Sequence, residues 1–250
     1  MTTETLTATS LGGLPIMSVV DRPKYINLMV YGESGVGKTV LAGSASEVSE
    51  LGNVLFVDIE GGTLSLAKRY PNVQVLRAQS FDQLQKVYAE LQTGKSGFDT
   101  VVIDSLTEAQ KFGMYAIMRK TLQDDPDRDP DLPGIGEWGK NTEQIRRFVR
   151  AFRDLPMNTI FLALPQTEQD KKGRKLTRPS LSGKLASDVA AFLDVVLYMY
   201  KRETEDGVKR FLLSQSTEEY VAKDRTDRLP PVIEEPTMRT LFDFIMTSDD

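Results

Sequence analysis

The strongest chemical pattern in this chain occupies eight consecutive residues: Gly32, Glu33, Ser34, Gly35, Val36, Gly37, Lys38 and Thr39. They fit G-x-x-x-x-G-K-[ST], in which small glycines let backbone N–H groups close around phosphate oxygens. In this motif the lysine reaches the β- and γ-phosphates of a nucleotide, and the last hydroxyl is offered to Mg²⁺. A predicted helix begins at Thr39, includes Val40 and points its positive dipole end at the anion. The segment therefore predicts a phosphate-binding loop, called the P-loop below.

Two carboxylates end other apolar runs of the chain. Asp104 closes "VVID", and a carboxylate at a strand end suits a Mg²⁺ ligand, directly or through water. Glu60 closes "LFVDIE", and because the chain has no histidine a glutamate is the natural group to orient or deprotonate an attacking water. Asp58 is expected on the same strand face as Glu60.

Two residue types are missing from the sequence, which contains no cysteine and no histidine. This excludes a disulfide framework, thiolate metal sites and every Ser-His or Cys-His nucleophile. Catalysis must therefore use carboxylates, lysine, arginine, polar side chains and a bound ion.

Apolar runs alternate with helical patterns early in the chain, and a hairpin pattern around Gly207 comes late. The predicted strands are 26–31, 53–60, 72–76, 98–107, 158–166 and 192–200. The predicted helices are 39–50, 80–91, 107–122, 137–154 and 235–246. A polar, basic loop is expected from the end of the fifth strand to about Gly183. The pattern predicts an α/β fold with three αβα layers, a mainly parallel central sheet and antiparallel C-terminal strands.

The composition is that of a globular protein, with 250 residues, 40% hydrophobic and 27% charged. We expect one domain over 21–250, preceded by a flexible or oligomerisation segment over 1–20. No apolar run could span a membrane and no signal peptide is recognisable, so a cytoplasmic location is expected. The net charge of −5 hides an acidic segment at 124–131 and a basic one at 170–178.

The order of these motifs resembles the RecA-fold ATPases. That pattern has a P-loop strand, a strand ending in a catalytic glutamate, a strand ending in a metal-binding aspartate, and a strand ending in a polar sensor. The corresponding residues here are Lys38 with Thr39, Glu60, Asp104 and Gln166. The segments "VVIDSLTE", "EWGK" and "AKDRTDRLP" make the chain similar to the phage RecA-like ATPases of the Sak group.

The resemblance implies an ATPase that uses ATP and Mg²⁺ and promotes single-strand annealing or homologous recombination. It implies that Lys223, Arg225 or Arg228 reaches the γ-phosphate bound by a neighbouring copy of the chain, and that Gln166 senses that phosphate. It also implies contact with single-stranded DNA through a group of cations after Gln166, namely Lys171, Lys172, Arg174, Lys175 and Arg178.

The resemblance further implies a homo-oligomer, a single-strand-binding protein as a partner and, for a phage protein, the host cytoplasm. Trp138 and Lys140 lie where a first DNA loop would be expected, but the acidic stretch before them opposes DNA contact.

The sequence leaves other functions open. The basic segment would serve as a phosphate-clamping lid in a nucleotide or small-molecule kinase. A helicase, a helicase loader and a DNA-binding protein with structural ATP are further alternatives. A GTPase is disfavoured because the sequence contains no N-K-x-D segment to read guanine.

Overall fold

The computed structural model describes residues 10–16, 18, 25–169 and 171–246. The strands, in chain order, are β1 (Ser10–Leu11), β2 (Leu14–Pro15), β3 (Asn27–Gly32), β4 (Val54–Asp58), β5 (Gln74–Arg77), β6 (Thr100–Asp104), β7 (Asn158–Ala163), β8 (Pro165–Gln169), β9 (Lys175–Pro179), β10 (Val195–Thr204), β11 (Gly207–Leu213), β12 (Lys223–Asp224) and β13 (Val232–Glu234). The α-helices are α1 (Lys38–Gly43), α2 (Leu64–Ala67), α3 (Phe81–Gln92), α4 (Leu106–Asp124), α5 (Ile135–Arg153), α6 (Leu185–Phe192) and α7 (Met238–Met246).

The main sheet has the spatial order β13-β11-β10-β3-β7-β6-β4-β5, and β12 pairs with β10. The strands from β10 to β5 in this order pair in parallel, so their carboxyl ends meet at one edge, called the carboxyl edge below. β11, β12 and β13 join antiparallel, as the late hairpin pattern predicted.

Both faces of this sheet are buried. In β3, Leu28 and Val30 face one apolar core, and Met29 and Tyr31 face the other. Helices α3, α4, α5 and α6 cover the second core, while α1, α2 and α7 cover the first. Burial on both faces explains why these strands are nearly continuous apolar runs, and the result is the expected three-layer αβα arrangement.

The helix after the P-loop is shorter than predicted. α1 ends at Gly43 and is followed by 3₁₀ turns at Ser44–Glu47 and Ser49–Leu51, so the prediction of one helix over 39–50 was wrong. The hydroxyl of Ser44 donates to the carbonyl oxygen of Leu41 at 2.6 Å, and such local side-chain bonds compete with helix propagation.

The segment predicted as a basic loop is a β-hairpin. β8 and β9 pair antiparallel, with Thr167 opposite Thr177. The backbone N–H of Thr177 also donates to the carbonyl oxygen of Glu219 at 2.6 Å, which ties β9 to the segment before β12. We call residues 165–179 the basic hairpin; Asp170, near its tip, lies outside the described residues.

Tyr31 fastens the basic hairpin to the strand that leads into the P-loop. Its side chain is fully buried, one residue before Gly32. Its hydroxyl donates to the carbonyl oxygen of Val221 at 2.6 Å, and the carbonyl oxygen of Thr177 lies 3.1 Å away. The hairpin, the segment before β12 and the P-loop strand therefore share one polar contact inside the fold.

Only part of the predicted N-terminal segment is described. Within it β1 pairs with β2 as a short hairpin whose Leu11 and Leu14 are exposed. The rest of the 1–20 prediction lies outside the described residues, and the division into that segment and a domain over 21–250 stays a prediction. Among the described helices, none is sufficiently long and apolar to cross a bilayer.

The acidic segment before α5 is anchored by one internal ion pair. The guanidinium of Arg128 binds both carboxylate oxygens of Glu137, one of them at 2.8 Å, and also donates to the carbonyl oxygen of Leu132. Glu137 accepts the backbone N–H of Gly134 at 2.7 Å as well. The hydrogen bond from Arg128, followed in size of effect by that from the Gly134 backbone, lowers the pKa of Glu137 from an ordinary value of 4.5 to about 2.

This ion pair gives a pH-dependent contribution to stability. Because the folded pKa of Glu137 lies below the unfolded one, the contribution is complete above about pH 4.5 and is lost as pH falls toward 2. We expect Glu137→Gln to unfold at a lower temperature than the parent at pH 6, with the gap closing between pH 4.5 and 2. Thermal unfolding followed by circular dichroism measures this gap. Asp131→Asn, in the same segment, is the control, and a gap independent of pH would contradict the assignment.

Candidate functional site

The P-loop connects the carboxyl end of β3 to the start of α1. Gly35 and Gly37 have φ angles of 72° and 117°, in the left-handed region that glycine adopts without strain. Gly32 lies against β10, where a Cβ would fall 2.3 Å from the carbonyl oxygen of Met199. The glycines of the motif are therefore required by backbone conformation and by close packing.

Lys38 folds back over the loop. Its ammonium donates to the carbonyl oxygens of Gly32 at 2.7 Å and Glu33 at 3.0 Å, and the residue is buried. Burial lowers the pKa of Lys38, while the charges of Asp104 and Glu60 act in the opposite direction. A buried cation held by uncharged carbonyls gains from a phosphate anion, which is the ligand that the motif predicts.

Thr39 and Asp104 bring two oxygen ligands together. The hydroxyl of Thr39 donates to Oδ2 of Asp104 at 2.8 Å. Burial raises the pKa of Asp104 to about 6, and the Thr39 hydrogen bond acts in the opposite direction. A hydroxyl and a buried carboxylate are the donor set that Mg²⁺ takes when substrate phosphates and waters complete its shell. The residues present therefore fit a magnesium ion.

Glu60 lies beside this pair. The carbonyl oxygen of Asp104 accepts the backbone N–H groups of Ile59 at 2.8 Å and Glu60 at 3.3 Å, which joins the ends of β4 and β6. The Glu60 side chain accepts a hydrogen bond from the hydroxyl of Ser105. Ser105 also caps α4 by accepting the N–H of Glu108 at 3.4 Å. One serine thus begins a helix and orients the candidate base.

Sequence reasoning missed Ser105, although the sequence held a signal for it. Ser105 and Glu108 have the S-x-x-E spacing that begins a helix, directly after the strand-ending Asp104. A capping serine at a strand end lies at the same edge as the neighbouring strand ends, within reach of their side chains.

Asp58 has a different role from its neighbours. It lies opposite Asp104 in the parallel register, but its carboxylate accepts Gly61 N–H at 2.6 Å and pairs with Arg77 at 3.1 Å. Asp58 therefore shapes the turn after Glu60.

Two cations that the sequence did not single out lie against the P-loop. Lys201 of β10 donates to the carbonyl oxygen of Gly35 at 2.8 Å, and Nε of Arg210 of β11 donates to that of Val36 at 3.2 Å. These contacts join residues 166 and 174 positions apart, so no local pattern could have revealed them.

Gln166 lies just beyond β7, in the first residues of the basic hairpin. Its side-chain amide donates to Glu168 at 3.2 Å, so the described contact joins it to the hairpin and not to the P-loop. It also lines a cavity of about 300 Å³ together with Thr107 and Trp138. Its role as a γ-phosphate sensor stays a prediction.

The predicted DNA-binding cations are all on the basic hairpin. Lys171, Lys172, Arg174 and Lys175 are exposed around its tip. Arg178 lies lower on β9, where it pairs with Glu168 and donates to the carbonyl oxygen of Gly183 at 2.9 Å. Arg178 is therefore held within the hairpin, while the other four cations are displayed at its end.

The cations predicted to act on a neighbouring copy lie far from the P-loop of their own chain. β12 pairs with the first residues of β10, at the sheet edge opposite the carboxyl edge. There Lys223 donates to three carbonyl oxygens at the end of α6, the shortest contact being 2.8 Å to Leu193. Arg225 pairs with Asp194 at 2.8 Å, and Arg228 donates to the carbonyl oxygen of Ile245. A phosphate contact by these residues would have to be made in another chain.

A family model described as an AAA domain matches residues 24–226. The chain belongs to this AAA domain family. The matched region includes the P-loop, Glu60, Asp104 and the basic hairpin. The family and the sheet order confirm the expected α/β, RecA-like P-loop NTPase fold. An AAA domain with this fold indicates nucleotide binding and hydrolysis.

Several solved structures are similar to this AAA domain protein over most of their length. A KaiC-like protein from Pyrococcus horikoshii OT3 shares 12% identity at a TM-score of 0.43, covering 74% of this chain and 76% of that one. The RadB recombinase shares 16% sequence identity at a TM-score of 0.49, covering 84% of this chain and 86% of that one. The flagellar accessory protein FlaH from Methanocaldococcus jannaschii shares 11% sequence identity at a TM-score of 0.43, covering 75% of this chain and 78% of that one. No curated protein matches the sequence.

The Ser105 contact gives a test of Glu60 in this AAA domain. We expect Ser105→Ala to lower kcat for nucleotide hydrolysis roughly tenfold with little change in KM, because a hydrogen bond to the charged base is lost while the phosphate contacts remain. Steady-state hydrolysis measures both constants.

Ser80→Ala is the matched control, since Ser80 caps α3 by accepting the N–H of Gln83, and this described hydrogen bond involves neither Glu60 nor the P-loop. Both variants lose about 1 kcal/mol of cap stabilisation. An equal loss of kcat in the two would show that capping alone causes the effect.

Proposed function

We propose that this AAA domain protein is a Mg²⁺-dependent ATPase that binds single-stranded DNA and promotes annealing or homologous recombination. The observation that carries the ATPase part is the convergence of four groups at the carboxyl edge: Lys38 and Thr39 at the start of α1, Asp104 at the end of β6, and Glu60 just after β4. These groups supply a cation that binds phosphate, a pair of magnesium ligands and a general base in one place.

The chemistry follows from the placement of these groups. The P-loop N–H groups and Lys38 hold the phosphates, while Thr39 and Asp104 would hold Mg²⁺. When bound, Mg²⁺ supplies positive charge that neutralises the phosphate oxygens. Glu60 orients a water and accepts its proton as the oxygen attacks the γ-phosphorus. The bond from the γ-phosphorus to the β–γ bridging oxygen breaks, so ADP and inorganic phosphate leave.

Support for DNA binding comes from the basic hairpin. Lys171, Lys172, Arg174 and Lys175 are exposed around its tip, and Gln166 at its base lies at the carboxyl edge. Cations on a projecting hairpin can follow a phosphate backbone without reading sequence. Arg178, which already pairs with Glu168, would support the hairpin more than it would contact the strand.

Support for assembly comes from the position of the second group of cations. Lys223 and Arg225 lie at the edge opposite the P-loop, so a phosphate contact by either requires another copy of the chain. We propose that the protein works as a homo-oligomer in which one of these residues completes the neighbouring site. A single-strand-binding protein is the partner that this function would require for access to coated DNA.

The first test is ATP hydrolysis by the purified protein alone, with single-stranded DNA and with duplex DNA. We expect stimulation by single strands that weakens as salt rises, and loss of all turnover in Lys38→Ala, because the cation that holds the phosphates is removed. Annealing of complementary strands should require the same residue.

Turnover that ignores every DNA would contradict the DNA part of this proposal. In that event, hydrolysis that becomes phosphate transfer to an added nucleoside or small alcohol would identify a kinase. Absence of turnover under all conditions would contradict the ATPase part.

The hairpin cations give a second test. We expect Lys171→Gln with Lys172→Gln to weaken single-stranded DNA binding, and to lower the slope of log affinity against log salt by about 1 to 2, because two phosphate contacts are lost. Lys86→Gln with Lys95→Gln, a pair of exposed lysines at α3 and after it, gives the same change of net charge. Fluorescence anisotropy with a labelled oligonucleotide measures the slopes, and equal losses in both pairs would show a general charge effect.

A further inference from the structure

Lys201 and Arg210 are directly opposite one another in the antiparallel pair of β10 and β11. Like charges at directly opposed positions repel and destabilise a sheet. A cross-strand pair of cations therefore needs other groups to offset its repulsion. The groups that contact these two side chains indicate the role of the pair.

Both cations face the outer side of the P-loop. Lys201 donates to the carbonyl oxygen of Gly35 at 2.8 Å, and Arg210 donates to that of Val36 at 3.2 Å. Arg210 also lies 3.8 Å from Glu235, whose carboxylate accepts the backbone N–H of Arg210. Two successive peptide groups of the loop are thus held by the two members of one cross-strand pair.

Holding these carbonyls fixes the direction of the neighbouring N–H groups. In a planar trans peptide the C=O and the N–H point in opposite directions. A Gly35 carbonyl drawn toward Lys201 turns the N–H of Val36 away from that side, and a Val36 carbonyl drawn toward Arg210 does the same for Gly37. The N–H of Gly37 is then presented on the inner side of the loop, where phosphate oxygens bind, while the N–H of Val36 donates to the carbonyl oxygen of Glu33 at 3.3 Å and closes the turn.

We propose that Lys201 and Arg210 clasp the P-loop from outside and are positioning residues for its phosphate-binding N–H groups. This proposal rests on the proposed function for the identity of its ligand, the phosphates of a nucleoside di- or triphosphate. It assigns to β10 and β11 a part in nucleotide binding that belongs to the same chain as the P-loop, unlike the contact proposed for Lys223 and Arg225.

The next position of the same hairpin provides a matched control. Arg202 and Lys209 are also cations directly opposite one another. Arg202 lies over the ring of Phe211 at 6.0 Å, and Lys209 pairs with Glu234 at 2.7 Å. This second pair has the same charge, spacing and strand pairing, and its described contacts do not include the P-loop.

The first experiment needs no nucleotide. Hydrogen–deuterium exchange of a peptide covering residues 30–43 is compared between the parent, Lys201→Met/Arg210→Met and Arg202→Met/Lys209→Met. We expect severalfold faster exchange in the first double variant only, because a loop no longer held by the two cations opens more often and exposes its hydrogen-bonded N–H groups, such as that of Val36. Unchanged exchange in that variant, or an equal increase in both, would overturn the clasp.

The second experiment measures affinity for ATP and ADP by calorimetric titration. We expect the Lys201/Arg210 variant to bind both nucleotides about tenfold more weakly, since the loop N–H groups serve phosphates that both contain. A loss confined to ATP would show direct contact with the γ-phosphate and overturn the proposal. The swap Lys201→Arg/Arg210→Lys keeps both donors and should recover most of the affinity.

Failure of the proposed function would look different. If the parent itself binds neither nucleotide, the ATPase proposal fails, while the exchange comparison still decides whether the two cations order the loop. Thermal unfolding without nucleotide provides a further check. The double variant should be as stable as the parent, because removing the pair also removes its repulsion, and a marked loss would indicate a merely structural role.

Discussion

The candidate site depends on the parallel pairing of β3, β7, β6 and β4. Because the strands run the same way, their carboxyl ends meet at one edge, and groups separated by tens of residues come within hydrogen-bond distance. The bond from Thr39 to Asp104 joins residues 65 positions apart, and that from Ser105 to Glu60 joins residues 45 apart. Placing β7 between β3 and β6 sets the distance that Thr39 spans from the start of α1.

The same edge concentrates buried charge. Lys38 and Asp104 are 8% and 3% exposed, and Glu60 lies beside them. Desolvation disfavours the charged forms of Lys38 and Asp104, which is why the pKa of Lys38 is lowered and that of Asp104 is raised. Such a cluster stabilises a fold poorly by itself, but it binds strongly to a ligand that brings the missing charges. The electrostatics of the edge are thus better suited to a phosphate and its metal than to the protein alone.

Much of this arrangement could be predicted from sequence because its residues belong to short, local sequence patterns. The P-loop occupies consecutive residues, and Asp104 and Glu60 each end an apolar run whose placement follows from parallel order. The hairpin of β8 and β9 was missed because lysines, arginine and glycine gave it the composition of a loop. Its alternating pattern is visible only in burial, with Thr177 and Pro179 inside and Leu176 outside. The contacts of Lys201 and Arg210 depend on how β10 lies beside β3, and nothing within either segment indicates that neighbour.

The hydroxyl of Tyr31 gives the basic hairpin a mechanical property. The hairpin is fastened at its middle pair of residues, through Thr177, to the residue that directly precedes Gly32. Two strand residues separate Thr177 from the turn, an arm of about 7 Å, so a rotation of about 10° at Thr177 moves the start of the turn through roughly 1 Å. A small adjustment where β3 meets the P-loop is therefore passed on to the turn where the lysines are displayed. In this arrangement the phenol is the fulcrum and the charged tip is the moving end.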